Sequence, residues 1–147
     1  MTGELLFVYG TLRRGVCANR FRHLMRGCVY QTKGSLQGRL YEVAGYPGAV
    51  ATEGTRGRIH GELYRVMDNR ALSRLDAYEE CSGGSPEPHE FVRRRLHVTL
   101  ESGRKVLAWV YLFNQETAGL RRIRSGDYRT QRHAVKRRRA FFADRSR

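Results

Sequence analysis

Glu79 stands near the end of a segment whose apolar residues recur at helical spacing, with Asp68 or Asn69 placed to cap its start and Glu80 at its close. At about 100° per residue, Leu72, Leu75 and Glu79 fall on one stripe, and Glu79 lies only about 20° around from Leu72. Glu80 falls about 80° away on the other side, nearer solvent. A carboxylate facing an apolar wall has its pKa pushed up, which suits it to exchange protons near neutral pH. The same residue also fits a plainer part, a helix-end glutamate paired with Arg93 or Arg94.

A second stretch offers backbone rather than side-chain chemistry. The apolar run Leu5 to Tyr9 is rich in residues that suit a buried strand, and it stops at Gly10. Beyond it the segment Thr11-Leu12-Arg13-Arg14-Gly15 is polar and basic. Glycine lets a ligand approach the main chain, so a tight turn here would present the N–H groups of Thr11 and Leu12 outward. Such donors suit a carboxylate or a developing oxyanion. An ordinary strand-to-loop turn gives the same local pattern.

The remaining reactive side chains form no obvious site. His23, His60, His89, His97 and His133 are scattered, and Cys17, Cys28 and Cys81 lack zinc-like spacing, so no metal is assigned. Cys17 follows the first turn but has no sequence-adjacent partner to activate it. Three cysteines with no export signal point to free thiols in a reducing cytoplasm. No apolar run approaches the roughly 20 residues that span a bilayer.

A chain of 147 residues, 40% of them apolar, is the size of about one domain with a real core. The net charge of +14 is unevenly spread: residues 121–147 hold 11 of the 28 Lys and Arg against 2 of the 14 acids. That basic end favours contact with nucleic acid or another polyanion, although it lacks interleaved stacking aromatics and equally fits a solubilising, Arg-rich composition.

The elements needed to position these groups follow in order. Ala18 to Arg26 reads as a short amphipathic helix, through Phe21, Leu24 and Met25. Val29 to Thr32 and Leu36 to Val43 read as strands broken by Gly34 and Gly38, and Gly45-Tyr46-Pro47-Gly48 as a turn at a strand end or edge. Ile59 to Val66 is another strand, with Gly61 marking a bulge or close approach. The segment 81–90, rich in Gly, Pro and Ser, is a loop. Phe91 to Leu100 and Lys105 to Phe113 form a hairpin around Glu101-Ser102-Gly103-Arg104, with Leu96, Val98 and Leu100 on one buried face. The nearly unbroken apolar run Val106 to Phe113 should be covered on both sides.

Tyr9-Gly10-Thr11-Leu12 resembles the tyrosine-glycine-serine/threonine-leucine signature of the γ-glutamyl cyclotransferase-like family, nearest its small bacterial members and γ-glutamylamine cyclotransferase. Three further landmarks fall in the family's order: Tyr46-Pro47-Gly48-Ala49-Val50, Leu75-Asp76-Ala77-Tyr78-Glu79 and Ser125-Gly126-Asp127-Tyr128. Together they span residues 4 to 128, which divides the chain into a family domain, 1–128, and a basic extension, 129–147. The resemblance implies an α+β fold, a mixed, closed or nearly closed β-barrel with flanking helices. It implies cofactor-independent release of 5-oxoproline from a small L-γ-glutamyl substrate by intramolecular aminolysis. Glu79 matches the family's single catalytic glutamate, although Glu80 stands where the family often has glycine. By the same resemblance Tyr9, Gly10, Thr11 and Leu12 border the substrate, Pro47 and Gly48 lie in a loop beside the cavity, and Tyr128 closes its far side. Two other readings remain: a non-catalytic small-molecule-binding module of the same fold, and a nucleic-acid-associated protein acting through residues 121–147.

Overall fold

The apolar run after Glu4 forms strand β1, Leu5–Val8, and its residues part to two faces: Phe7 joins one buried cluster while Leu6 and Val8 join another. This alternation is the strand period of two, and it places β1 between two cores. In the computed structural model, residues 4–10, 23–43, 46–78 and 90–128 are described. They form β2 (Cys28–Val43), β3 (Tyr46–Ala51), β4 (Arg58–Val66), helix α1 (Arg70–Tyr78), β5 (Phe91–Leu100), β6 (Lys105–Phe113) and β7 (Arg121–Arg122).

Five strands close on themselves in the order β2-β4-β1-β6-β5, with β5 returning to β2 through Gly34↔Leu100 and Ser35↔Thr99. The barrel is mixed, since β1 runs parallel to β6 while the other pairings are antiparallel. Closure leaves no free edge among these five strands. Outside the ring, β3 and β7 flank the second half of β2. Phe7, Leu36, Ile59, Leu63, Val98 and Val110 form one cluster drawn from all five barrel strands, and this cluster is the barrel interior.

Three expectations change here. First, β2 is one strand of 16 residues rather than two broken at glycines. Gly34 and Gly38 permit close approach: a Cβ on Gly34 would sit 3.1 Å from the Thr99 carbonyl oxygen, and one on Gly38 would overlap that of Val50. The irregularity in β2 lies instead between Tyr30 and Thr32. Second, Tyr46-Pro47-Gly48 is not a turn but the start of β3. Pro47 is tolerated because β3 pairs on one side only, with Pro47 opposite Glu42, so the expected edge location holds. Third, residues 23–27 are turns, closed by Arg26 N–H to the His23 carbonyl at 3.3 Å and Cys28 N–H to that of Met25 at 3.0 Å. The rest of the helix expected from Ala18 to Arg26 lies outside the described residues. Leu24 is nonetheless buried, in the cluster beneath α1.

Elsewhere the sequence reading holds. Gly61 is a close approach, where a Cβ would crowd Phe7 Cζ at 2.6 Å. Helix α1 is capped by Asp68, whose Oδ1 accepts from Arg70 N–H at 3.0 Å. Ala71, Leu72, Leu75 and Tyr78 form its buried face, packed on Leu6, Tyr64 and Tyr111. The hairpin of β5 and β6 pairs Phe91↔Phe113 through Thr99↔Lys105, and Gly103 takes φ +92° at its turn. A fourth expectation changes, since the run Val106 to Phe113 is not covered on both sides throughout: Ala108 and Val110 face the interior and Tyr111 faces α1, while Leu107 near the hairpin end is exposed. Residues 121–128 are built into the domain through β7, buried Ile123 and an ion pair from Arg121 to Glu42. The loop 81–89 and the segment 129–147 lie outside the described residues.

Candidate functional site

The end of β1 is held from two sides by a single phenol. Tyr9 is buried, its hydroxyl donates to the Tyr111 carbonyl at 2.6 Å, and the same oxygen accepts from Ala49 N–H at 3.2 Å. Tyr9 thus ties β1 to β6 and to β3. Its ring lies in the barrel interior with Phe7, Leu36 and Tyr128. The next residue, Gly10, touches the same neighbour strand: a Cβ there would lie 3.0 Å from Pro47 Cγ. That spacing is tighter than side chains ordinarily accept, so glycine lets the β1 turn rest against the proline. Two motifs separated by more than thirty residues in sequence therefore meet, at Tyr9-Gly10 and Pro47-Ala49. Gly48 packs rather than faces an opening, since a Cβ on it would sit 2.9 Å from Val43 Cγ2 and 3.0 Å from Phe113 Cβ. Thr11 and Leu12 lie outside the described residues.

The third motif reaches this region through α1. Leu75 and Tyr78 are buried, and between them Asp76 points to the barrel wall. Its carboxylate accepts from Arg93 Nε at 2.7 Å and Nη2 at 3.0 Å, and from the Tyr111 hydroxyl at 2.6 Å. Arg93 was one of two arginines the sequence offered to Glu79, and here it forms a two-pronged pair with Asp76. Glu79 directly follows Tyr78, the last described residue of α1, and itself lies outside the described residues, as does Glu80.

Tyr111 emerges as the residue on which the motifs converge. Its carbonyl receives the Tyr9 hydroxyl, and its own hydroxyl binds Asp76. Sequence reasoning passed over it inside an apolar run. The available signal was chemical: a tyrosine in a strand expected to be covered needs a partner for its hydroxyl.

The fourth motif plugs the barrel. Gly126 takes φ +70°, its carbonyl accepts from His60 N–H at 2.8 Å, and a Cβ there would overlap the Arg58 carbonyl oxygen. The turn sends Tyr128 inward, where it is fully buried, hydroxyl included, in the cluster that contains Tyr9. Tyr9 and Tyr128 are therefore brought into the barrel interior, with Gly10 and Pro47 in contact at the end of β1, whereas Gly48 packs against Val43 and Phe113 in a separate cluster.

The flank of β5 and β6 carries a second polar assembly. The Arg93 and Arg95 guanidinium groups lie 4.3 Å and 4.7 Å from the Trp109 ring centre, and Glu4 binds both the Trp109 N–H and Arg95. The Trp109 hydrogen bond, followed by Arg95, holds the Glu4 carboxyl below its ordinary pKa. Among the described residues, no three His, Cys, Asp or Glu side chains gather as a metal site requires, and no helix is long and apolar enough to cross a membrane.

Comparison with known proteins bears on the family and the fold. Residues 6–130 match the family model described as gamma-glutamyl cyclotransferase, AIG2-like. The gamma-glutamylcyclotransferase family protein YtfP of Escherichia coli K12 is 33% identical over 130 residues, covering 84% of this chain and 94% of its own. The gamma-L-glutamyl-butirosin B gamma-glutamyl cyclotransferase of Niallia circulans is 34% identical over 112 residues, covering 76% and 67%. The crystal structure of an AIG2-like protein from Mus musculus superposes with a TM-score of 0.64 at 25% identity, covering 82% of this chain and 85% of the mouse chain. With its motifs in family order on a closed mixed barrel, the chain belongs to the gamma-glutamyl cyclotransferase, AIG2-like family.

Proposed function

We propose that this protein releases 5-oxoproline from a small L-γ-glutamyl compound of the γ-glutamylamine type, with Glu79 as its general acid and base. The observation that carries the reading is the meeting of Tyr9-Gly10 with Pro47, on the same strand system that docks the helix leading into Glu79. In the reaction the substrate α-amine attacks its own γ-carbonyl carbon, forming the ring C–N bond. One proton leaves the amine for the Glu79 carboxylate. The γ-amide C–N bond then breaks, and the same proton passes to the departing nitrogen. A single carboxyl group suffices, and no other reactant enters.

The protein's tasks follow from this chemistry. Ring closure is unimolecular, so holding a folded substrate conformer removes much of the entropic barrier. Proton transfer by a positioned carboxyl contributes roughly 10²- to 10⁴-fold. The amides after Gly10 serve either the oxyanion or the substrate α-carboxylate. Tyr9 and Tyr128 line the apolar side, with the Tyr9 hydroxyl engaged by backbone rather than offered to substrate. The Niallia relative is named for a γ-L-glutamyl derivative of butirosin B, which supports a γ-glutamyl compound as the substrate class.

The test is incubation of the protein with a panel of L-γ-glutamyl amines and γ-glutamyl amino acids, reading 5-oxoproline by mass spectrometry. Turnover that disappears in a folded Glu79→Gln variant supports the reading. Equal turnover by Glu79→Gln removes Glu79 from the mechanism, and no product across the panel removes the activity.

A further inference from the structure

We propose that Tyr111 is a positioning residue, which fixes helix α1 relative to the turn at Gly10 and thereby sets the reach of the carboxyl group that follows Tyr78. The inference rests on the proposed function for its catalytic consequence, but its geometry stands on described residues. One residue of β6 makes both connections. Its carbonyl accepts the Tyr9 hydroxyl at 2.6 Å, immediately before Gly10. Its hydroxyl donates to Asp76 at 2.6 Å, three positions before Glu79. Arg93, from the neighbouring strand and opposite Tyr111 in register, clamps the same carboxylate.

This arrangement differs from general core packing. The Leu72, Leu75 and Tyr78 side chains give α1 adhesion to the barrel, yet apolar contact is non-directional and tolerates small slides. A carboxylate held by a two-pronged guanidinium and a phenol has fixed direction and register. The helix therefore adheres through its apolar face and is indexed through Asp76. Because Tyr9 is bound to the same residue's backbone, the two sides of the proposed cleft share one reference point. Loss of the Tyr111 hydroxyl leaves the index to the Arg93 fork, and so loosens it, while keeping the ring that fills the core.

The test uses the full chain with ¹³C-labelled glutamate, the Glu79 signal being assigned by its loss in Glu79→Gln. Tyr111→Phe is compared with wild type and with Tyr64→Phe, which deletes another buried tyrosine-to-carboxylate bond, that to Glu62. In Tyr111→Phe the Glu79 titration midpoint moves, whereas in Tyr64→Phe it stays. With L-γ-glutamyl-n-butylamide, kcat falls roughly 10- to 100-fold while KM changes less than about threefold, the scale expected of a displacement near 1 Å. Arg93→Lys, which keeps the charge and loses the fork, moves both readouts in the same direction and serves if Tyr111→Phe does not fold. An unmoved Glu79 titration in a folded Tyr111→Phe or Arg93→Lys protein overturns the proposal, even if melting temperature falls. Absence of turnover in wild type counts against the proposed function alone, since the titration arm needs no substrate.

Discussion

Replacing Asp76 with alanine removes the acceptor for three hydrogen bonds, two from Arg93 and one from Tyr111. The size of the loss depends on solvent access, and the side chains of Arg93 and Asp76 are only 23% and 18% exposed. Breaking a fully buried pair costs about 3–5 kcal/mol and an exposed one about 0–1 kcal/mol. This pair lies nearer the buried limit, with some discount for residual screening, so Asp76→Ala is expected to cost about 2–3 kcal/mol. For a chain of this length that lowers the melting temperature by roughly 5–10 °C. The assay is urea unfolding of wild type, Asp76→Ala, Arg93→Ala and the double variant, which isolates the coupling between the two side chains. A coupling of about 1.5 kcal/mol or more is expected, because either single variant takes from its half-buried partner a two-pronged, charge-assisted bond that the double variant no longer needs. The exposed pair of Arg70 with Asp68, at 88% and 40% side-chain exposure, serves as contrast, and Arg70→Ala should leave the unfolding midpoint unchanged. Single-variant losses that add to the double within about 0.5 kcal/mol refute the reasoning.

Three further outcomes are expected. Tyr9→Phe keeps the ring but leaves Ala49 N–H and the Tyr111 carbonyl without the phenol, costing about 1–3 kcal/mol by chemical unfolding; an unchanged midpoint counts against the tie between β1, β3 and β6. Burial pushes the Cys28 thiol up to about 11, so peptide mapping after iodoacetamide treatment at neutral pH should find Cys28 unmodified in folded protein and modified in denaturant. The lowered folded-state pKa of Glu4 gives stability that is present above the unfolded value, near 4.5, and is lost as pH falls through the folded value. Glu4→Gln should therefore flatten the acid limb of stability against pH, and an identical limb would refute the Glu4 assignment.

Local chemistry made much of the fold readable. The hairpin of β5 and β6 announced itself through alternation on one side, an apolar run on the other and Gly103 between them. Helix α1 followed from an Asx cap and apolar spacing. Errors arose where a residue's reason lay far away in sequence. Gly38 looked like a strand break because its requirement, the Val50 carbonyl pressed against it, belongs to another strand. Pro47 looked like a turn because its tolerance comes from β3 having one paired side. At the candidate site the sequence named the motif residues but missed their connector. Tyr111 lies in no motif, and its importance comes from two bonds that span 102 and 35 residues. Periodicity cannot reveal such bonds.

The return from β5 to β2 has a consequence for how the molecule breathes. The barrel's ladders are unequal: β5 and β6 share nine rungs, whereas β1 meets β6 at Leu6↔Trp109 and the clasp of β5 to β2 consists of Gly34↔Leu100, Ser35↔Thr99 and a bond from Glu101 N–H to the Lys33 carbonyl at 3.2 Å. Short fastenings yield before long ones, so deuterium should enter the amides along this clasp sooner than those of the β5–β6 ladder. Tyr128 and Tyr9 share the interior cluster with Leu36 of β2 and Val98 of β5, the two strands that the clasp joins. Opening of the clasp would therefore wet this interior while leaving α1 and its Asp76 anchor in place.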